Sequence, residues 1–414
     1  MSTRRRIAVY YNVGWGGGRR WLYECVSRLS SYHDLDLFCV DREAGVPHYP
    51  DVTEFGEHSY AERFDDLPAF RGALKPLKAP ALWWDLIRFD GASRRMARRI
   101  DAGGYDLLFA SVGGYTEAPL PLRHARTRSA YYCHEPMRIL YEPRVPRPYD
   151  RAISRLWQKS FYGTLVRRWD RQATRRPSLV VANSRYCRDY AHRAYGVDAV
   201  VNYPGVDVEA FRPGDGSRER FVLTVGEQLP AKGFDWAIRA VGAIPESKRP
   251  PLVWVGNRTH SAEAAYLRSV ARSSGVTLEM RERLPDPELK RLFQTASAFL
   301  YTPHLEPFGL AAIEAMASGT PVVAVREAGP AETVIDGETG FLRPREPAQL
   351  GEALLRLLDD ADLRERMGRA GREHVEANFT WDRSVAQLAT LLGGAATESP
   401  HADVTRQASA VVVK

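Results

Sequence analysis

The chain has 414 residues, 44% of them hydrophobic and 26% charged, with a formal net charge of +7. That length exceeds the size at which one core stops growing, so two domains of ordinary size are expected. Its hydrophobic runs are strand-length, none approaching the roughly 20 apolar residues of a membrane span, and Met1-Ser2-Thr3-Arg4-Arg5-Arg6 leads straight into a short strand, so an unexported, cytoplasmic chain is expected. Cys25, Cys39, Cys133 and Cys187 are widely spaced with no C-x-x-C pair, which argues against a zinc centre and a disulfide framework. The positive charge comes mostly from arginine and suits a phosphorylated substrate or an anionic membrane surface. No zinc-finger, RNP or helix-turn-helix pattern accompanies it, so nucleic acid is not an expected partner.

In chain order, Ile7-Ala8-Val9-Tyr10-Tyr11, a glycine loop, a helix over residues 19–29 and Leu35-Asp36-Leu37-Phe38-Cys39-Val40 read as a β-α-β opening. In Gly14-Trp15-Gly16-Gly17-Gly18-Arg19-Arg20, glycines such as Gly17 and Gly18 let a phosphate or sugar meet the backbone. A dinucleotide fingerprint needs glycine where this chain has Arg19, although Asp36 or Asp41 supplies a ribose-binding acid for that rival reading; a tight turn without ligand is the lesser alternative, because so many glycines in succession cost chain entropy. No Walker-type phosphate loop exists. Asp34-Leu35-Asp36 matches a metal-binding D-x-D, but it lies at a strand's start, away from the ligand end, and reads as structural, so no metal is expected.

Further strands are expected at residues 107–110, 130–133 and 179–182. Arg94-Arg95-Met96-Ala97-Arg98-Arg99 and the arginines at 167–168 and 175–176 flank a region holding Trp83, Trp84, Trp157, Phe161, Tyr162 and Trp169. This mixture suits an interfacial helix at an anionic membrane, or a solvated basic face with aromatics in the core. His134 directly follows the strand at 130–133, a position that points into the crevice of a parallel sheet; a core histidine satisfied by a backbone carbonyl is the alternative.

Residues 205–220 are dense in proline, glycine and polar residues and read as a linker. A second alternation then opens at residues 221–225 and continues through strands at 252–255, 276–278, 298–301 and 321–325, with helices at 347–358, 362–377 and 381–392. After its first strand, Lys232-Gly233 brings an ammonium to a loop entering a helix, where it suits a diphosphate leaving group. After the strand at 298–301, Glu306-Pro307-Phe308-Gly309-Leu310-Ala311-Ala312-Ile313-Glu314 runs from a loop into a helix that Gly319 and Pro321 end. Glu306 can reach sugar hydroxyls, Gly309 lets a phosphate approach the helix mouth, and Glu314 can accept from two vicinal hydroxyls such as those of a ribose. Two glutamates alone read as an ordinary amphipathic helix and loop; the surrounding pattern decides.

That pattern, Val225-Gly226 to Lys232-Gly233, Glu306 to Glu314-Ala-Met-Ala-Ser-Gly-Thr-Pro-Val-Val, and Glu332-Thr-Val to Asp336-Gly-Glu-Thr-Gly-Phe-Leu, resembles the retaining glycosyltransferases of family 4, which have the GT-B fold. The glycine loop, Tyr132 to Arg138, Asn183-Ser184 and Tyr203-Pro204-Gly205-Val206-Asp207 extend the likeness over nearly the whole chain. Tyr132 to Arg138, with Leu140-Tyr141-Glu142 behind it, is similar to a branch that includes bacterial mannosyltransferases of surface polysaccharides. The resemblance implies an α/β chain of two Rossmann-like, doubly wound domains facing a cleft. Residues 1–204 would form the acceptor-side domain, 205–220 the linker and 221–380 the nucleotide-sugar domain, with a helix at 381–394 crossing back and a loose tail at 395–414.

It further implies transfer of mannose or another hexose, with retention and without metal or cofactor, from a nucleotide-diphosphate sugar to a glycan, lipid-linked or small-molecule acceptor. Glu306 would contact the sugar, Phe308, Gly309 and Leu310 would offer amides, Glu314 would hold the ribose, Lys232 would stabilise the diphosphate, and His134 would sit near the reacting sugar. The family usually has arginine after the glycine that follows the first strand of the second half; Glu227 stands there, so either Arg19, Arg20, Arg138 or Arg258 contacts the acceptor or a second phosphate, or Lys232 and the helix mouth suffice. The alternatives are an epimerase, a phosphorylase or a non-catalytic sugar-nucleotide-binding partner of the same fold.

Overall fold

The computed structural model describes residues 4–12, 17–41, 52–65, 67, 78–149, 161–216, 218–257 and 260–397. The chain divides into two compact units, one built from Met1–Pro143, Arg151–Asn202 and Val385–Lys414, the other from Arg144–Asp150 and Tyr203–Ser384.

The first unit is a parallel sheet of β1 (Arg6–Tyr10), β2 (Asp34–Asp41), β3 (His58–Arg63), β4 (Leu107–Ala110), β5 (Ser129–Cys133), β6 (Leu179–Ala182) and β7 (Val200–Val201), in the order β3-β2-β1-β4-β5-β6-β7. Ile7 is in register with Leu35 on one side and Leu107 on the other. Both faces are covered, so the central strands read as unbroken apolar runs, every residue of β4, β5 and β6 being buried. The edge strand β3 escapes the sequence pattern because His58-Ser59-Tyr60-Ala61-Glu62-Arg63 is exposed along most of its length. Helices Gly17–Leu29, Lys78–Ala102, Phe161–Arg175 and Arg185–Tyr195 belong to this unit. Ser184 caps the last of them by accepting from Cys187 N at 2.9 Å, and Gly196 closes it in the left-handed region. The basic-aromatic mixture divides: Trp83 and Trp169 pack against the core, whereas Trp84 is 58% exposed. Trp157 lies outside the described residues, as do the side chains of Phe161 and Tyr162.

The second unit is a parallel sheet of β8 (Glu219–Val225), β9 (Leu252–Gly256), β10 (Leu278–Glu282), β11 (Ala296–Tyr301), β12 (Val322–Val325) and β13 (Gly340–Arg343), in the order β10-β9-β8-β11-β12-β13. Residues 205–220, expected as a linker, belong to this unit wherever they are described. Val206 and Phe211 are buried in its core, Val206 N donates to Phe379 O at 2.8 Å, and a side chain at Gly205 would collide with the Trp381 backbone. Proline and glycine there serve close packing instead of free movement. The final helix, Trp381–Thr397, runs to residue 397, and from Val385 onward it belongs to the first unit. There Ala389 O meets His33 Nε2 at 3.2 Å and Ala395 O accepts from Arg128 at 3.0 Å. Most of the tail expected to be loose, residues 398–414, lies outside the described residues.

Candidate functional site

In the second unit the neighbouring strands β8 and β11 end side by side, and the loops leaving their carboxyl ends lock together. His304 N donates to Ala231 O at 2.7 Å, and Thr302 Oγ1 donates to Gly233 O at 2.9 Å. Gly233 has φ 64°, and a Cβ there would lie 2.1 Å from Thr302 O, so only glycine lets these loops meet. The interlock brings Lys232 to Glu306: Nζ lies 2.8 Å from Oε2 and 3.0 Å from Oε1, both groups partly open to solvent. Glu306 is held in turn by Gly329 N, which donates to its carbonyl at 2.8 Å.

Three residues beyond Glu306, Gly309 adopts φ 98° and starts the helix Leu310–Ala317. The left-handed residue turns the chain sharply, so the first-turn amides, which have no partner within the helix, face outward at its positive end. Phe308 contributes only backbone here, since its ring is buried beside Tyr203 and Phe379, with centroids 6.0 and 5.8 Å away. Glu314 is 6% exposed and sits five residues into the helix, about 7.5 Å from the mouth at 1.5 Å per residue. Lys232, Glu306, Gly309, Leu310 and Glu314 thus share one end of one sheet.

Several neighbours carry no sequence signal. Arg345 donates to Thr302 O at 2.7 Å and Pro303 O at 2.6 Å while its guanidinium grips both oxygens of Glu327. Arg147, 3% exposed, donates to Pro230 O at 3.1 Å, Asp235 Oδ1 at 3.0 Å and both oxygens of Glu263 at 3.1–3.2 Å, and Tyr149 also donates to Glu263. Pro230 opens the turn that carries Lys232, so this buried knot fixes the lysine from behind. Burial, aided by Arg345, pushes the His304 imidazole down to about 4. Glu227 is exposed, and Arg258 lies outside the described residues.

In the first unit, His134 leaves the carboxyl end of β5 and packs edge-on against Trp21, with ring centroids 4.6 Å apart, and beside Tyr132 at 5.0 Å. Its Nε2 is buried with no hydrogen-bond partner among the described residues, and burial pushes the ring down to about 4, so it is neutral at pH 7. Trp21 lies one turn into the helix begun by Gly17 and Gly18. Gly14, Trp15 and Gly16 lie outside the described residues. Arg19, in that first turn, has no side-chain partner among the described residues, whereas Arg138 is committed to Glu135 and Glu142.

Asp36 of the D-x-D pair gathers a cluster that the sequence spacing does not reveal, with Glu57 and His58 ligand atoms within 4.8 Å of one another. Burial works against the charge of Asp36, but hydrogen bonds from Tyr105, His58 and Arg6 hold its carboxyl below the usual range. Those donors engage both oxygens of Asp36.

Two family models match, "Glycosyltransferase Family 4" over residues 15–210 and "Glycosyl transferases group 1" over residues 207–374. The chain is 35% identical over 213 residues to the D-inositol 3-phosphate glycosyltransferase of Corynebacterium diphtheriae, a match covering 47% of this chain and 50% of that protein. It therefore spans about half the length of several curated relatives that it matches. The protein of the same name from Salinispora arenicola is 30% identical over 425 residues, covering 92% of this chain and 87% of that one. Among solved structures, Anabaena Alr3699/HepE in complex with UDP and glucose superposes with a TM-score of 0.67 at 20% identity, covering 94% of this chain and 99% of that one. With the two parallel sheets and a relative matched nearly end to end, the chain belongs to the group 1 glycosyltransferases of family 4 and has the GT-B fold.

Proposed function

We propose that this protein transfers a hexose from a nucleotide-diphosphate donor to an acceptor hydroxyl, with retention at the anomeric carbon and without a resident metal. The observation that carries the reading is the Lys232–Glu306 pair held at the carboxyl edge of the second sheet, beside the helix mouth at Gly309. Charge grows on the departing diphosphate, and an ammonium together with outward-facing amides is suited to receive it. Glu306 accepts from the sugar hydroxyls and Glu314 from the ribose. The neutral His134 ring, with Nε2 protonated, donates to a sugar hydroxyl. With retention, the acceptor attacks from the face the diphosphate leaves, and the departing phosphate oxygen takes the acceptor's proton.

The names of the relatives favour a phosphorylated polyol as acceptor over a glycan or lipid-linked chain. The complex of HepE with UDP and glucose makes UDP-glucose the first donor to try, with GDP-mannose the test of the mannosyltransferase likeness and of a role in surface-polysaccharide synthesis. A cytoplasmic location at the inner face of a membrane is part of the same proposal, supported by Trp84 and Ile87 exposed on helix Lys78–Ala102.

The test is a panel of nucleotide sugars by thermal shift, followed by transfer assays on the stabilising donor with EDTA present. A donor at 100 times its dissociation constant adds roughly 2.7 kcal/mol of apparent stability. Lys232→Ala and Glu306→Ala are each expected to lower kcat at least a hundredfold in step with kcat/KM while the melting temperature stays within a few degrees; near-normal turnover in either sinks the assignment. Phosphate-dependent cleavage would identify a phosphorylase, donor epimerised without acceptor an epimerase, and donor binding without sugar release a non-catalytic partner.

A further inference from the structure

The first unit carries a concave site at the end of its sheet opposite His134. A cavity of about 480 Å³ lies between the last turns of helix Lys78–Ala102 and the segment that leads into β5. It is lined by Arg94, Arg98, Asp101, Ala102, His124 and Arg126. The helix ends just before β4 begins at Leu107, and Arg126 precedes the start of β5 at Ser129. The cavity therefore sits at the amino ends of β4 and β5, a strand length of roughly 15 Å from His134 at the carboxyl end of β5.

Its walls are fixed by hydrogen bonds to the local acids. Asp101 Oδ1 accepts from Arg126 N and Thr127 N at 2.8 Å and from Thr127 Oγ1 at 2.9 Å, which ties the Arg126 segment to the helix. Asp90 takes Arg123 at 2.6 Å, His124 at 2.8 Å and, at 3.5 Å, Arg94. The guanidiniums of Arg98 and Arg126 remain without a side-chain partner among the described residues. With Arg94 paired to Asp90, Arg98 and Arg126 face Asp101 and about half a negative charge from the helix carboxyl end, so the cavity stays slightly net positive. Two unpaired planar guanidiniums, on opposite walls of a fixed recess, present donors that match the oxygens of a phosphoryl group.

We propose that this cavity binds a phosphoryl group, separately from the donor site, with Arg98 and Arg126 as its principal ligands. The group belongs to a soluble phosphate compound or to the headgroup of an anionic lipid, and the inference does not depend on the sugar-transfer reading. The test is arginine modification by phenylglyoxal on the full chain, read residue by residue by mass spectrometry at constant ionic strength. The probes are inorganic pyrophosphate, vesicles containing phosphatidylglycerol, and vesicles of phosphatidylcholine alone. Exposed Arg369, on a helix of the second unit, is the internal reference. Modification of Arg98 and Arg126 is expected to slow at least fivefold with pyrophosphate or phosphatidylglycerol, relative to Arg369, and to be unchanged by phosphatidylcholine.

Protection by pyrophosphate identifies a soluble ligand, and protection by anionic vesicles alone identifies a lipid headgroup. Equal modification under all conditions overturns the proposal. Arg98→Ser/Arg126→Ser, at exposed positions that leave the fold intact, is expected to weaken binding of the protecting probe at least fivefold; unchanged binding also overturns it.

Discussion

At Gly233 a methyl group has nowhere to go. It would meet a backbone oxygen at 2.1 Å and hold φ at 64°, whereas at Gly309 it would meet only the Tyr301 ring edge at 3.0 Å, with φ at 98°. Left-handed backbone costs a non-glycine residue about 1–2 kcal/mol, and forcing atoms into a packed site adds about 1–3 kcal/mol. Gly233→Ala should therefore destabilise the second unit by about 3–4 kcal/mol and Gly309→Ala by about 1–2 kcal/mol, measured by urea unfolding. Gly309→Ala should lose more turnover than its stability loss accounts for, because the helix-mouth amides re-aim. Equal stability losses would show that the two loops are not interlocked as described. The sequence marks Gly309 as a helix mouth and Gly233 as the residue after a lysine at a strand end. What was not legible is that Gly233 faces Thr302, a partner nearly seventy residues on that only the pairing of β8 with β11 brings near.

Among elements, the short segment Arg144–Asp150 shows most clearly where sequence reading runs out. The strand alternation of both halves was legible because buried parallel strands are unbroken apolar runs, as in Ala298-Phe299-Leu300-Tyr301 and Leu179-Val180-Val181-Ala182. Arg147 lies between prolines, without periodicity or motif, and its role exists only through Asp235 and Glu263 far along the chain. The same holds for Arg345, whose carbonyl and Glu327 partners belong to other loops. Removing one member of a buried ion cluster strands its partners, at a cost of about 3–5 kcal/mol. Arg147→Met should cost that much stability and lower kcat by loosening the Lys232 turn. Arg147→Met/Asp235→Asn/Glu263→Gln should recover most of the stability, since no buried charge is left unpaired, yet retain the kcat defect because nothing holds Pro230 O. Full recovery of both would make the knot a matter of folding alone.

Across the molecule, the two units differ in how their buried groups titrate, and the first carries the larger set of raised carboxyls. Burial, with Glu135 and Asp170 nearby, pushes Glu117 up to about 8. Burial likewise raises Asp170 to about 6 despite hydrogen bonds from Tyr195 Oη at 2.6 Å and Ala118 N at 3.0 Å. Unfolded, these groups lose their protons near 4.3 and 3.9. Between those values and their folded ones the native state holds more protons, so stability is full at low pH and falls as pH rises. His134 acts in the opposite sense from 6.5 down to about 4, where the unfolded ring is charged and the folded one is not, and the lowered His33 has the same sign. These terms overlap and partly cancel below pH 6.5. Above it, among the described residues of the first unit, Glu117 is the carboxyl that still differs between the states until the raised cysteines and tyrosines enter beyond pH 8. At about 1.4 kcal/mol per unit, the first unit should lose about 2 kcal/mol between pH 6.5 and 8. Hydrogen exchange of β4 and β5 against pH reads this directly, after correction for intrinsic exchange. Glu117→Gln should flatten the decline while leaving the second unit unchanged; a slope that survives the substitution would place the titrating group elsewhere.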